Sequence, residues 1–218
     1  MDNLNLSDIA VETWVQGGPI SLERLIGSVV LVEVFQVNCP GCFLYALPKA
    51  IQLHEQYQDK GLIIIGVATA FEDYDKNTIK HLQQLVQTGE VIGETRKALT
   101  RQGLLTDDKL EWRLPFAIGM DRITPNTEPI TSEKVLQVAT KALPNLEELS
   151  EDNRQRVLNQ VRSYLKQKTM KAETFEKFSL QGTPSAILFD RNGSLRDVSF
   201  GQMEHQKSLV EHYLGQLA

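Results

Sequence analysis

Cys39-Pro40-Gly41-Cys42 lies directly between the apolar run Val29-Val30-Leu31-Val32-Glu33-Val34-Phe35 and a helix-prone stretch from Phe43 to Tyr57, and it contains both cysteines of the 218-residue chain. Two residues between the cysteines bring the sulfurs within disulfide reach, and a helix N-terminus turns unpaired backbone N–H groups toward the first sulfur. The partial positive charge there favours thiolate over thiol. Cysteines in such motifs titrate between about 3.5 and about 7.5, against about 8.5 for a free thiol. Cys39 is therefore the expected attacking sulfur, and Cys42, one turn into the helix, the expected resolving sulfur. Pro40 suits the first helical position, where its missing N–H would have had no partner. Two plainer readings stand beside this one: small buried hydrophobes, or half of a four-ligand zinc site. No second Cys-x-x-Cys or Cys/His pair completes a zinc site, so neither metal nor cofactor is expected.

Low cysteine use, with both sulfurs in one motif, fits a reducing compartment, and no structural disulfide is expected. A net charge of −5 argues against nucleic acid as the main partner. The opening residues MDNLNLSDIAVETW lack the basic start and apolar core of a signal peptide. No run approaches the roughly 20 apolar residues that span a bilayer, so a cytoplasmic protein without a membrane partner is expected.

Along the chain, residues 12–26 read as a leading segment with a turn at Gly17-Gly18-Pro19 and a short helix from Ser21 to Ile26, Trp14 being core filler. Val29 to Val37 reads as a central strand covered on both faces. Glu33 in its middle is the anomaly. An anion there is costly, so its pKa should rise, and it serves either as a proton relay for Cys42 or as a carboxylate facing a polar gap or a lysine. The helix from Cys39 carries Leu44, Leu47, Ile51 and His54 at helical spacing, with a kink expected at Pro48. Leu62 to Ala68 is a second buried strand, so strand, helix and strand form a right-handed βαβ unit. Residues 77–103 read as two helices broken near Gly89 and Gly93, capped by Asn77 or Thr78, with Ile79, Leu82, Leu85 and Val86 inside. Leu114 to Met120 is the third strand.

Residues 124–171 form a charged, helix-prone block within a single domain of residues 1–218. Val135, Val138, Ala142 and Leu143 make one apolar stripe in it, and Val157, Leu158, Val161, Tyr164 and Leu165 another. A lid over the dithiol and a stabilising or oligomerising insertion are the alternatives for this block. Ser185 to Asp190 and Leu195 to Gly201 read as a hairpin about Asn192-Gly193, and Glu204 to Leu217 as a closing amphipathic helix.

The order of these features resembles the thioredoxin-like superfamily, in its TlpA-like or redoxin branch. The resemblance rests on the strand with Glu33, on Cys39-Pro40-Gly41-Cys42 opening a helix with Pro48, on the strand Leu62 to Ala68, and on Gly182-Thr183-Pro184 before the final hairpin and helix. It covers roughly residues 12–75, 114–122 and 175–217. The fold it implies is α/β, a central mixed β-sheet flanked by helices, with the helical block inserted. It also implies site residues. Glu33 sits where thioredoxins place a buried carboxylate that assists proton transfer, and Thr183-Pro184 matches a cis-proline loop that offers the Thr183 backbone to an extended substrate. Pro40 and Gly41 join these as substrate-facing positions. Asn38 departs from the family's tryptophan before the first cysteine, and Cys-Pro-Gly-Cys from Cys-Gly-Pro-Cys, which leaves partner and redox direction open.

The leading expectation is a thiol–disulfide oxidoreductase acting on a protein or small-molecule disulfide and served by a thiol electron donor, with homodimerisation through the helical block a further expectation. A peroxiredoxin-like peroxidase is the first alternative, although Gln36 occupies the position of that family's hydroxyl residue. A dithiol metal carrier or an interaction scaffold is the second, His54, His81, His205 and His212 lacking ligand spacing to the cysteines.

Overall fold

The structure, a computed structural model, describes residues 4–202 and 204–216, so Leu217 of the expected closing helix lies outside the described residues. The chain divides into two compact units, one built from residues 1–123 and 172–218 and the other from Thr124–Lys171.

The first unit is organised on six strands: β1 (Val11–Gln16), β2 (Val29–Phe35), β3 (Leu62–Ala68), β4 (Ala117–Asp121), β7 (Ser185–Phe189) and β8 (Leu195–Phe200). Their spatial order is β1-β4-β3-β2-β7-β8. The adjacent strands β4, β3 and β2 run parallel, while β1, β7 and β8 are antiparallel to their neighbours, so the sheet is mixed. Every residue of β2 is buried, as a strand covered on both faces requires. The pleat sorts its side chains by parity. Val29, Leu31 and Phe35 join one core cluster with Cys39, Cys42 and Val210, whereas Val30, Val32 and Val34 join a second one on the opposite face. Glu33 therefore projects on the face that carries the cysteines.

Helices of this unit are α1 (Leu47–Tyr57), α2 (Ile79–Thr88), α3 (Gly93–Arg101), α6 (Glu173–Lys177) and α7 (Gln206–Leu214). Thr78 caps α2, its Oγ1 accepting from His81 N at 3.2 Å. The β7–β8 turn is set by Asp190, whose Oδ1 accepts from Asn192 N and Ser194 N, with Gly193 at φ 72°. Arg191 from the same turn donates to Gly27 O and Leu214 O and ties the end of α7 to the sheet.

Several expectations change. Val11–Gln16 is a strand rather than part of an irregular lead-in, because it pairs antiparallel with β4 at the sheet edge. The third strand begins at Ala117, not Leu114. Pro115 has no N–H for a ladder, and the carbonyls of Leu114 and Phe116 accept from the Gln16 side chain instead, both at 2.7 Å. Ile79 is exposed, since its position in the first turn of α2 points away from the core that Leu82 and Leu85 enter. The kink expected at Pro48 takes the form of a π-helical turn, Cys42–Ala46, in which Leu47 N donates to Cys42 O. Pro48 has no N–H for Leu44 O, which removes one bond that would hold an α-helical spacing there.

The second unit contains α4 (Ser132–Ala142), capped by Thr131, and α5 (Glu151–Gln167). The chain enters it through β5 (Ile123–Pro125) and leaves through β6 (Met170–Ala172), which pair with each other. Val135, Ala139, Leu146 and Leu165 are buried in it. Ala142 and Tyr164, expected on the apolar stripes, are exposed, each lying at an edge of its stripe. Hydrogen bonds from Lys134 and then Lys171 hold the Glu128 carboxyl down to about 2.

Candidate active site: the Cys39–Cys42 turn

β2 ends at Phe35, whose carbonyl accepts from Thr69 N, and the chain turns through Gln36, Val37 and Asn38 into Cys39. Cys39 and Cys42 form a disulfide with Cα atoms 5.4 Å apart. Cys39 keeps 9% of its surface exposed and Cys42 none, so the first cysteine lies nearer solvent than the second. Cys42 N donates to Cys39 Sγ at 3.2 Å, and Thr183 O lies 3.5 Å from the same sulfur. These contacts act in opposite directions on a reduced Cys39: the amide favours thiolate, whereas the carbonyl accepts from a thiol.

The peptide bond between Thr183 and Pro184 is cis. Pro184 packs against the cysteine turn closely enough that a Cβ on Gly41 would meet its Cδ at 3.6 Å. The loop is fixed by Ser185 Oγ donating to Gly182 O and by Gly201 N donating to Pro184 O. Pro40, Gly41 and Thr183 remain partly exposed around the sulfurs.

Glu33 is 1% exposed, and its Oε1 accepts from Gln206 Nε2 at 2.5 Å while Oε2 is buried without a partner. Burial pushes its carboxyl up to about 8, the Gln206 hydrogen bond pulling weakly the other way. A group with such a pKa can hold or release a proton near neutrality. Gln206 also lines a groove of about 300 Å³ between the π-helical turn and the segment leading into α7, where Tyr45 and Lys49 face it.

A belt of polar side chains around residues 36–38 was not foreseen. Asn38 N donates to Asn77 Oδ1, Asn38 Nδ2 to Asp73 Oδ2 at 2.6 Å, and Glu94 N to Asn38 Oδ1. Gln36 Nε2 donates to Glu72 O, and Gln36 Oε1 accepts from Thr183 Oγ1. Gly93 is needed here, because it has φ 53° and a Cβ on it would run into Asn38 Oδ1. The available signal was the pair of amides, Gln36 and Asn38, in an otherwise apolar run ending at a buried cysteine. Among the described residues, no group of three or more His, Cys, Asp or Glu side chains is gathered that could hold a metal. Nor, among those residues, is any helix long and apolar enough to cross a membrane.

A mixed six-stranded sheet with a Cys-x-x-Cys pair at a strand-to-helix turn and a cis-proline loop beside it defines a thioredoxin-like protein, and the chain has that fold. It is similar over its whole length, and that of the other chain, to a thiol-disulfide isomerase from Corynebacterium glutamicum, at 25% identity and a TM-score of 0.60. A thioredoxin-like superfamily protein matches 96% of each chain at 19% identity with a TM-score of 0.57, which bears on the fold alone. By sequence, the chain is 49% identical over 55 residues to NHL repeat-containing protein 2 of Gallus gallus, and 38% identical over 65 residues to protein DipZ of Mycobacterium bovis. These stretches are 24% and 28% of the chain, and 7% and 9% of those relatives. No family model matches.

Proposed function

We propose that the protein is a thiol–disulfide oxidoreductase working through Cys39 and Cys42. The observation that carries this reading is the pairing of a slightly exposed Cys39, held by the Cys42 N–H, with a fully buried Cys42 disulfide-bonded to it. In the reducing direction the Cys39 thiolate attacks one sulfur of a substrate disulfide, forming a mixed disulfide and expelling one substrate thiolate. Cys42 then loses its proton to Glu33 and attacks Cys39 Sγ. The mixed disulfide breaks, the second substrate sulfur leaves as a thiolate that takes up a proton, and the Cys39–Cys42 disulfide remains. The substrate gains two electrons, which a thiol donor returns to the dithiol. Run backwards, the same steps oxidise a dithiol substrate.

The free Oε2 and the raised pKa of Glu33 support its part as proton acceptor. Thr183, Pro184, Pro40 and Gly41 form the substrate-facing rim, Thr183 offering its backbone to an extended peptide. A protein disulfide fits such a rim, and a small-molecule disulfide fits the sulfurs alone. We further read residues 124–171 as an insertion into a single thioredoxin-like domain, and as the surface through which two copies pair.

The test is a pair of variants in intact cells. Cys39→Ser should abolish exchange, while Cys42→Ser should accumulate a mixed disulfide with its partner, recovered from the cytosolic fraction and released by dithiothreitol. Full turnover in either variant would defeat the mechanism, and an adduct confined to another compartment would move the protein out of the cytoplasm.

A further inference from the structure

We propose that Gln36 is a positioning residue that fixes Thr183 beside the dithiol, and so sets how well a peptide disulfide is held for attack by Cys39. The inference rests on the exchange function above and adds to it a determinant of substrate holding. Gln36 is 2% exposed, and both ends of its amide are engaged: Oε1 accepts from Thr183 Oγ1 at 3.1 Å, and Nε2 donates to Glu72 O at 3.2 Å. The same carbonyl of Glu72 accepts from Asn77 Nδ2 at 3.0 Å, and Asn77 Oδ1 accepts from Asn38 N at 3.0 Å.

A continuous set of hydrogen bonds therefore runs from Thr183 through Gln36, Glu72 and Asn77 to Asn38, the residue before Cys39. It joins the two flanks of the reactive sulfur by a route that involves neither sulfur. Thr183 is the end that matters for a peptide. Its carbonyl is 3.5 Å from Cys39 Sγ and its hydroxyl is held by Gln36, so this hydrogen bond anchors the residue whose backbone an extended chain must meet. A buried amide of this kind has few substitutes. An apolar side chain of the same length leaves the Thr183 hydroxyl without its Gln36 acceptor and the Glu72 carbonyl with Asn77 Nδ2 alone. The belt leaves the Cys42 N–H on Cys39 Sγ untouched, so thiolate reactivity toward a small disulfide does not depend on it.

The experiment compares two substrates, an extended peptide disulfide and hydroxyethyl disulfide, across wild type, Gln36→Met, Thr183→Val and the double variant, with thermal melting of each. Gln36→Met is expected to raise KM for the peptide about tenfold, as loss of one hydrogen bond allows, with kcat changed by no more than about twofold. Its kcat/KM for hydroxyethyl disulfide should stay within about twofold of wild type. Thr183→Val removes the other end of the same bond, so the double variant should lose no more than the worse single one. An unchanged peptide KM in a folded Gln36→Met protein, equal losses on both substrates, or additive losses in the double variant overturn the proposal. Should Gln36→Met fail to fold, Gln36→Asn, whose shorter side chain draws the amide back from both partners, carries the same comparison. Wild-type protein idle on both disulfides overturns the exchange reading, and this inference with it; active wild type with indifferent variants overturns this inference alone.

Discussion

Glu33 has its carboxylate in the most apolar part of the sheet, opposite Gly66 on β3 and Ala186 on β7, with Gln206 of α7 as its hydrogen-bond partner. Desolvation dominates, so its pKa rises from 4.5 to about 8 on folding. The sign follows from proton counting. Below pH 4.5 both folded and unfolded chains hold the proton. Between 4.5 and about 8 only the folded chain does, so stability falls by up to ~1.4 kcal/mol per pH unit across that window and levels off above it. Glu33→Gln keeps an acceptor for Gln206 without the charge. It should unfold at higher urea than wild type at pH 8 and lose most of that advantage at pH 5. Its Cys42 step, followed by stopped flow, should lose an inflection near pH 8 that wild type shows. Equal urea midpoints at both pH values would mean that Glu33 is not desolvated as described.

At the level of elements, Asp121 joins the end of β4 to the start of α6. It is buried, and desolvation raises its pKa, yet Thr69 Oγ1, Thr174 N and Phe175 N all donate to it. Thr174 Oγ1 in turn accepts from Ala10 N, just before β1. One carboxylate thus organises the point where the chain rejoins the sheet after residues 124–171. Asp121→Leu strands three buried donors and should cost about 2–4 kcal/mol, read from denaturant unfolding, while Asp121→Asn, which keeps an acceptor, should cost less. Comparable losses in both variants would mean that the charge, and not the acceptors, holds α6 in place. The π-helical turn after Cys42 illustrates how local sequence and packing divide the work. Pro48 marks in the sequence where regular helix is interrupted, but the form of the interruption is an extra residue in the turn that carries Cys42, Phe43 and Ala46 into the core.

At the scale of the molecule, the second unit leaves Leu136 and Tyr164 exposed, the latter at 50%. If copies pair through it, light scattering after gel filtration should give twice the chain mass, and Tyr164→Asp should return the protein to a monomer with the dithiol still oxidisable. A monomeric wild type would end the dimer reading. Much of the architecture followed from local chemistry: two buried apolar runs about one helix, a hairpin at Asn192-Gly193, a carboxylate inside a strand, and a dithiol at a helix start. β1 left no clear mark in the sequence because an edge strand with no fully buried residue has no strong apolar pattern; its partner β4 lies about a hundred residues away.

Sequence alone determined the main buried strands, the helix between them and the placing of both cysteines at its start, because short-range periodicity and spacing govern strands, helices and disulfide reach. Tertiary structure alone decided which polar groups meet at the site. Gln206 reaches Glu33 across 173 residues, and Thr183 reaches Gln36 across 147. Such bonds form only when distant elements pack at particular angles and heights on the sheet, and no local propensity encodes that geometry.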